Sequence, residues 1–270
     1  MYFSQGNLQY QASTNTWRFA ENQWDYVGIE EMGTVFENGT QCDNSLISVS
    51  YSGWIDLFGW GTSGWDNGNE YYQPYDYEYL TEWNAGHLGF GYGPTDGSSY
   101  TYDLTGDYAN ADWGVYNAIS NGGNTPNQWR TLHINEWHYI LFQRTTPSGI
   151  FYAKGMVNGV NGIILLPDDW SSAVHALNYP NMLDAPYSTN EISIAEWRTM
   201  ESVGAVFLPA AGYRGGTSVY DVGSHGYYWS STRYDTGGAY HWDFFSSLPG
   251  PDGAYGAYHG RSVRLACACQ

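Results

Sequence analysis

The chain opens on an alternating pattern, Tyr2-Phe3-Ser4-Gln5-Gly6-Asn7-Leu8-Gln9-Tyr10, followed by the polar run Ser13-Thr14-Asn15-Thr16 and then Trp17-Arg18-Phe19. Apolar residues at every second position, broken by turn formers, predict a β-hairpin. Over 131–142 the period lengthens, and Leu132, Trp137, Ile140 and Leu141 share one stripe of a predicted helix. A second helix starts at Ser193-Ile194-Ala195-Glu196, a capping-box pattern, and continues through Trp197, Met200 and Val203 to a C-cap at Gly204. Between the helices, two apolar runs at 150–157 and 162–166 flank Asn158-Gly159, a dipeptide suited to the positive φ angles of a tight hairpin turn. The remainder reads as short strands at 205–208, 227–230, 239–245 and 262–266. Along 239–245, Tyr240, Trp242 and Phe244 fall on one face and His241, Asp243 and Phe245 on the other. The first set is wholly aromatic and suits a core. The second is chemically mixed and suits a surface.

Composition changes this picture in two respects. The chain holds 26 Tyr and 34 Gly but a single Lys, Lys154, which favours strands and ordered loops over helix bundles. Residues 50–115, with Gly59-Trp60-Gly61 and Gly64-Trp65-Asp66, show little periodicity and read as long loops pinned by aromatics. The fold class is therefore α+β: two main helices on short antiparallel strands, with long aromatic and Gly-rich loops. We expect one domain over 1–270, with a hairpin and loop-rich region at 1–125 and a core at 126–270. A chain of this length buries roughly three quarters of its unfolded surface, so it has no need of a metal or disulfide to fold.

The formal charge of −18 excludes a basic face for nucleic acid and disfavours anionic membranes. No apolar run is long enough to span a bilayer. Met1 leads directly into a strand pattern without a signal peptide, which reads as a trimmed product. Cys42, Cys267 and Cys269 leave at least one thiol unpaired within the chain.

Catalytic signatures are scarce. The seven His residues are dispersed, and His133 and His138, five apart in the first helix, do not share a ligating face. There is no phosphate loop and no Gly-x-Ser-x-Gly elbow. Asp25, Asp56, Asp66, Asp76, Glu78 and Glu82 lie among aromatics and supply the carboxylates a glycosidase pair needs, with separations a sequence does not specify. We expect no enzyme activity, no cofactor and no metal site.

Several segments together resemble a known family. Trp129-Arg130-Thr131-Leu132 through Glu136-Trp137-His138-Tyr139 is similar to the Arg-Leu-Pro…Glu-Trp-Glu-Tyr helix of formylglycine-generating-enzyme-like proteins, a branch of the C-type lectin fold. Phe207-Leu208-Pro209, Gly226-Tyr227-Tyr228-Trp229-Ser230-Ser231 and Gly260-Arg261-Ser262-Val263-Arg264-Leu265 follow in the order of the variable proteins of diversity-generating retroelements and related surface proteins of Bacteroidetes and their phages. With Phe3-Ser4-Gln5-Gly6-Asn7-Leu8-Gln9-Tyr10 the resemblance covers nearly the whole chain. It implies a C-type-lectin-like fold whose stretch between Trp-Ser-Ser and Ser-Val-Arg-Leu is diversified by adenine-specific mutagenesis and faces a ligand. The reactive cysteine pair of the enzyme branch is not matched, since Cys267 and Cys269 follow the last Arg-Leu strand.

Two features of the residues agree with the resemblance. Mutated Asn codons ending in a pyrimidine do not reach Lys, Glu, Gln, Met or Trp; from Arg233 to His259 the first four are absent, and Trp242 is the one unreachable residue, which reads as fixed scaffold. Asn occurs 19 times up to Asn190 and never afterwards. Within the display region, 227–265, the expected ligand-binding residues are Arg233, Tyr234, Asp235, His241, Asp243, Phe245, Leu248, Asp252, Tyr255, Tyr258 and His259. Trp229, Trp242 and Phe244 are expected as scaffold. Tyr with Ser and Gly is also the chemistry of antibody paratopes. The expected partner is a protein or glycan receptor on a cell surface, with the chain itself on a cell surface or phage tail and its oligomeric state left open. Two alternatives remain: a fixed glycan-binding domain using Trp60, Trp65 and Tyr71 to Tyr79, and a glycoside hydrolase.

Overall fold

A computed structural model describes residues 1–27, 41–43, 48–65, 103–215, 218–234, 238–245 and 253–268. Its elements are β1 (Tyr2–Phe3), β2 (Leu8–Gln11), β3 (Thr16–Phe19), β4 (Gln41–Asp43), α1 (Trp113–Tyr116), β5 (Arg130–Thr131), α2 (Ile134–His138), β6 (Tyr152–Val157), β7 (Val160–Leu165), β8 (Glu191–Ile192), α3 (Ile194–Ser202), β9 (Val206–Pro209), β10 (Tyr213–Gly215), β11 (Ser218–Tyr220), β12 (Gly226–Arg233), β13 (Gly238–Phe244), β14 (Gly253–Gly256) and β15 (Leu265–Cys267). The class is α+β, with short helices among many short strands.

Local chemistry accounts for the elements that position the rest. β6 and β7 form the expected hairpin, with Asn158 and Gly159 at φ 51° and 78° in the turn. Ser193 caps α3: its Oγ accepts from the Glu196 N–H, and the Glu196 carboxylate accepts from the Ser193 N–H at 2.9 Å. Gly204 follows that helix at φ 99°. β2 and β3 pair as the opening pattern predicts, but β1 leaves the hairpin to pair with β15.

The first helix differs from expectation. Residues 131–133 are extended: Thr131 lies in β5, its N–H donating to Asp112 Oδ2 at 2.7 Å, and α2 begins only at Ile134. His133 is the cap and not a helical residue. Its Nδ1 accepts from the Asn135 N–H at 3.1 Å, and its own N–H donates to Glu136 Oε2 at 2.9 Å. A reciprocal cap of this kind stops the helix from growing backwards. After His138 the chain widens into a π-type turn over Tyr139–Gln143.

Four apolar clusters hold the described residues together, the smallest of them Leu57, Ala211, Val219 and Val222. The first holds Leu8, Trp17, Phe19, Phe58, Trp60, Trp113, Trp229 and Val263; the second holds Leu132, Trp137, Ile163, Leu208, Tyr228, Trp242 and Phe244. The third, under α3, holds Ile164, Trp170, Trp197, Met200 and Phe207. Successive residues on β12 and on β7 enter different clusters, so both strands are buried on both faces. The first cluster takes residues from both sides of position 125, and no separate core belongs to residues 1–125 among those described.

Candidate functional site

β12 and β13 are antiparallel, with Tyr227 opposite Asp243, Tyr228 opposite Trp242 and Trp229 opposite His241. Facing residues project on the same side of a sheet. One side therefore carries Tyr228, Trp242 and Phe244. All three are buried, with Trp242 stacked on Trp137 at 5.6 Å between ring centroids. Trp229 is equally buried, and its Nε1 donates to the Phe58 carbonyl at 2.7 Å. The other side carries Tyr227, Trp229, His241 and Asp243, the face expected to reach solvent.

That expectation is corrected at its centre. His241 is 0% exposed. The segment after β14 runs alongside β12, with Ser262 paired parallel to Tyr228 and Arg261 held to Phe58 by two backbone hydrogen bonds, and it sends the Arg261 side chain across the side that carries Tyr227 and Trp229. The Arg261 guanidinium sits 4.5 Å from the Trp229 ring centroid and 5.4 Å from that of Tyr227, and its Nη1 donates to His241 Nδ1 at 3.2 Å. A ring nitrogen that accepts carries no proton, so the His241 proton lies on Nε2, 3.9 Å from Asp243 Oδ2. Burial, reinforced by the Arg261 charge, holds the His241 pKa well below the ordinary histidine value. Alternation had placed His241 on the correct side of its strand; the Arg261 side chain, carried by a distant segment, covers that side.

Arg233 is also corrected. It is 8% exposed, with its guanidinium 5.8 Å from the Trp60 ring centroid and its N–H donating to Asp103 Oδ1 at 3.0 Å. Tyr240, expected in the core, is half-buried and packs edge-on against Tyr234 at 5.1 Å. An irregularity lies between Trp229 and Arg233, where three residues of β12, Ser230 to Thr232, stand against Tyr240 alone on β13 and Ser230 Oγ donates to the Tyr240 carbonyl. Tyr234 is exposed at the hairpin tip.

The remaining expected residues gather where the cover ends. Asp243, Phe245, Tyr258 and His259 are half-buried there. Leu248, Asp235 and Asp252 lie outside the described residues, as does the Tyr255 side chain. Four further residues join this edge. Tyr213 packs edge-on against Tyr227 and His259 at 5.4 Å each and stacks on Tyr220 at 5.3 Å. His225 stacks on Phe245 at 5.0 Å, and the Tyr227 hydroxyl donates to Asp221 Oδ2 at 3.2 Å. Tyr227 is legible from its spacing to Trp229; Tyr213, Asp221 and His225 carry no signal beyond their type, because β10 and the turn before β12 reach the face only by tertiary pairing.

The electrostatics of this edge follow from burial. The His225 pKa is lowered, first by desolvation, and that of His259 is lowered to about 4 by desolvation and the Arg261 charge. Both rings are neutral at pH 7. The Tyr227 phenol is raised, by burial and then by Asp221 and Asp243, so it stays protonated. The edge thus presents neutral aromatic rings and two carboxylates over a buried guanidinium.

Asp56 is buried with its pKa raised to about 7, but it is sealed: Oδ2 accepts from the Val27 N–H at 2.6 Å, and Arg214 stands beside it. Asp66, Asp76, Glu78 and Glu82 lie outside the described residues. Trp60 is buried, with Nε1 donating to the Ser230 carbonyl at 2.8 Å, so it is no exposed sugar platform; Trp65 is half-buried, and Tyr71 to Tyr79 are outside the described residues. Among the described residues there is no group of three or more His, Cys, Asp or Glu set to hold a metal, and no helix long and apolar enough to cross a membrane. Cys267 is a free thiol.

No family model gives a significant match to the chain, and neither does any curated protein or solved structure.

Proposed function

We propose that this chain is a non-enzymatic binding protein on a C-type-lectin-like scaffold, with the ends of the β12–β13 hairpin and the segment after β14 as its ligand surface. The observation that carries this reading is the contrast along one hairpin. Trp229, Trp242 and Phe244 are sealed in two cores, while on the same strands and their flanks Tyr234 is exposed and Asp243 and Phe245 are only partly buried. Side chains of the second kind can change without touching the packing that holds the first. In keeping with the resemblance, we propose that the segment is diversified by a retroelement and that the partner is a receptor on a cell surface. Location on a cell surface or a phage tail belongs to the same proposal. The burial of His241 and Arg233 narrows the varied set to the two ends of the hairpin.

Thermal and urea melts test the division. Trp229→Ala and Trp242→Ala are expected to cost about 3–5 kcal/mol, the usual price of a large core truncation. His241→Ala is expected to destabilise as well, because it strips the Arg261 guanidinium of a buried acceptor. Tyr234→Ala should stay within about 0.5 kcal/mol, and Asp243→Ala, at a partly buried position, should cost less than either tryptophan. Equal losses across both groups would remove the basis for a display surface. In the encoding DNA, a near-identical template repeat beside a reverse transcriptase gene is expected, and its absence would argue for a fixed specificity.

A further inference from the structure

The nine Lys and Arg side chains fall into two groups. Arg144, Lys154, Arg214, Arg233, Arg261 and Arg264 are buried. The other three are each ion-paired: Arg18 to Glu21 at 3.6 Å, Arg130 to Glu136 at 2.6 Å and Arg198 to Glu201 at 2.7 Å. The positive charge of this chain is thus spent on internal acceptors and local pairs, whereas the formal total is −18. Among the described carboxylates only Asp56 and Asp112 are buried. What a partner meets is an acidic surface with its cations withdrawn, and such a field steers oppositely charged partners inward and repels like-charged ones.

The candidate face repeats this partition at short range. Arg261, the cation beneath it, is 3% exposed and covered by Tyr227 and Trp229. Asp221 and Asp243 flank Tyr227 and are partly buried, the Asp243 side chain 14% exposed, with the rings of Tyr213, His225 and Phe245 alongside. Aromatic faces next to carboxylates favour a cation that still has an apolar stem: the rings attract the charge through their quadrupole, and the carboxylates accept its hydrogen bonds.

Resting on the reading that this face binds a partner, we propose that the partner is a protein segment bearing arginine or lysine, whose cationic heads are taken by Asp221 and Asp243 and whose stems lie on Tyr213 and Tyr227. A neutral sugar would make no use of the charge partition, and an anionic partner would be opposed by it.

Panning a random peptide-display library on the intact chain tests this, followed by affinity measurements of the enriched peptides. The comparison uses Asp221→Asn/Asp243→Asn, Tyr213→Ser, and a control, Asp169→Asn/Glu191→Gln, which removes the same charge from exposed positions elsewhere. Melts of all four proteins establish that the variants fold. The expected result is Arg- or Lys-bearing peptides whose affinity falls about tenfold or more in the Asp221/Asp243 variant, changes little in the control, and weakens as salt rises from about 0.05 to about 0.3 M. Peptides lost on Tyr213→Ser but neutral or acidic in composition would overturn the cationic partner and leave the binding face standing. Basic peptides bound equally by the face variant and the control would overturn it too, as general attraction to an acidic protein. Peptides indifferent to every face variant would overturn both readings.

Discussion

Asp56 shows how a single buried group sets a pH response. In the unfolded chain its carboxyl titrates near 3.8, and in the fold desolvation raises it to about 7, against the opposing pull of the Val27 N–H and Arg214. Between those values the native state keeps a proton that the unfolded state has released, so this group's contribution to stability falls as pH rises from about 4 through 7. Asp112, raised to about 6, acts in the same sense. His259 acts in the opposite sense: its pKa is lowered from 6.5 to about 4, and stability is lost as pH falls through that window. Urea melts at pH 5 and pH 8 are expected to show that Asp56→Asn is more favourable relative to the parent at pH 8 than at pH 5. An unchanged difference between the two pH values would mean that Asp56 is ionised in the fold. At this scale the sequence was partly mute. Asp56 stood out only as one acid among several, and its burial depends on Val27 and Arg214, which are distant in the chain.

At the scale of elements, caps and turns were the legible part because their chemistry is local. Ser193 and Glu196, three residues apart, complete each other's hydrogen bonds wherever the helix packs. Ser193→Ala is expected to cost about 1 kcal/mol, read as a lower urea midpoint without a change of slope; no shift would show that packing of Trp197 and Met200 alone holds α3. The β6–β7 turn was legible for the same reason. The start of α2 was not, since an apolar stripe at Leu132 looks the same whether the residue ends a strand or opens a helix. His241 illustrates the same limit in a strand. Alternation assigns a side chain to one side of a sheet, but it carries no information about what lies over that side, and here Arg261 and its neighbours do.

For the whole molecule, the two termini close the fold together. Tyr2 and Phe3 pair with Cys267 and Ala266, the Ser4 N–H donates to the Leu265 carbonyl, and the Leu8 N–H donates to that of Val263. The Asn7 side chain donates to the Tyr228 hydroxyl, which in turn donates to the Pro209 carbonyl. The opening segment thus supports β15 and the hairpin of the candidate face at once. Removing residues 1–7 is expected to lower the melting midpoint of the whole chain and to deprotect β12 and β13 in amide hydrogen exchange. Unchanged protection of those strands would show that the face stands without the N-terminal segment.

The α+β class, the β6–β7 hairpin, the capped α3 and the burial of Trp242 and Phe244 were legible along the chain, because each follows from residues within a few positions of one another. Packing between distant segments, by contrast, covers the intended outer face at His241 and leaves Asp243 and Phe245 partly buried. It also brings Tyr213 and His225 to that edge and withdraws six of nine cations from solvent. Those outcomes depend on which distant segments lie against each other, and periodicity carries no record of that.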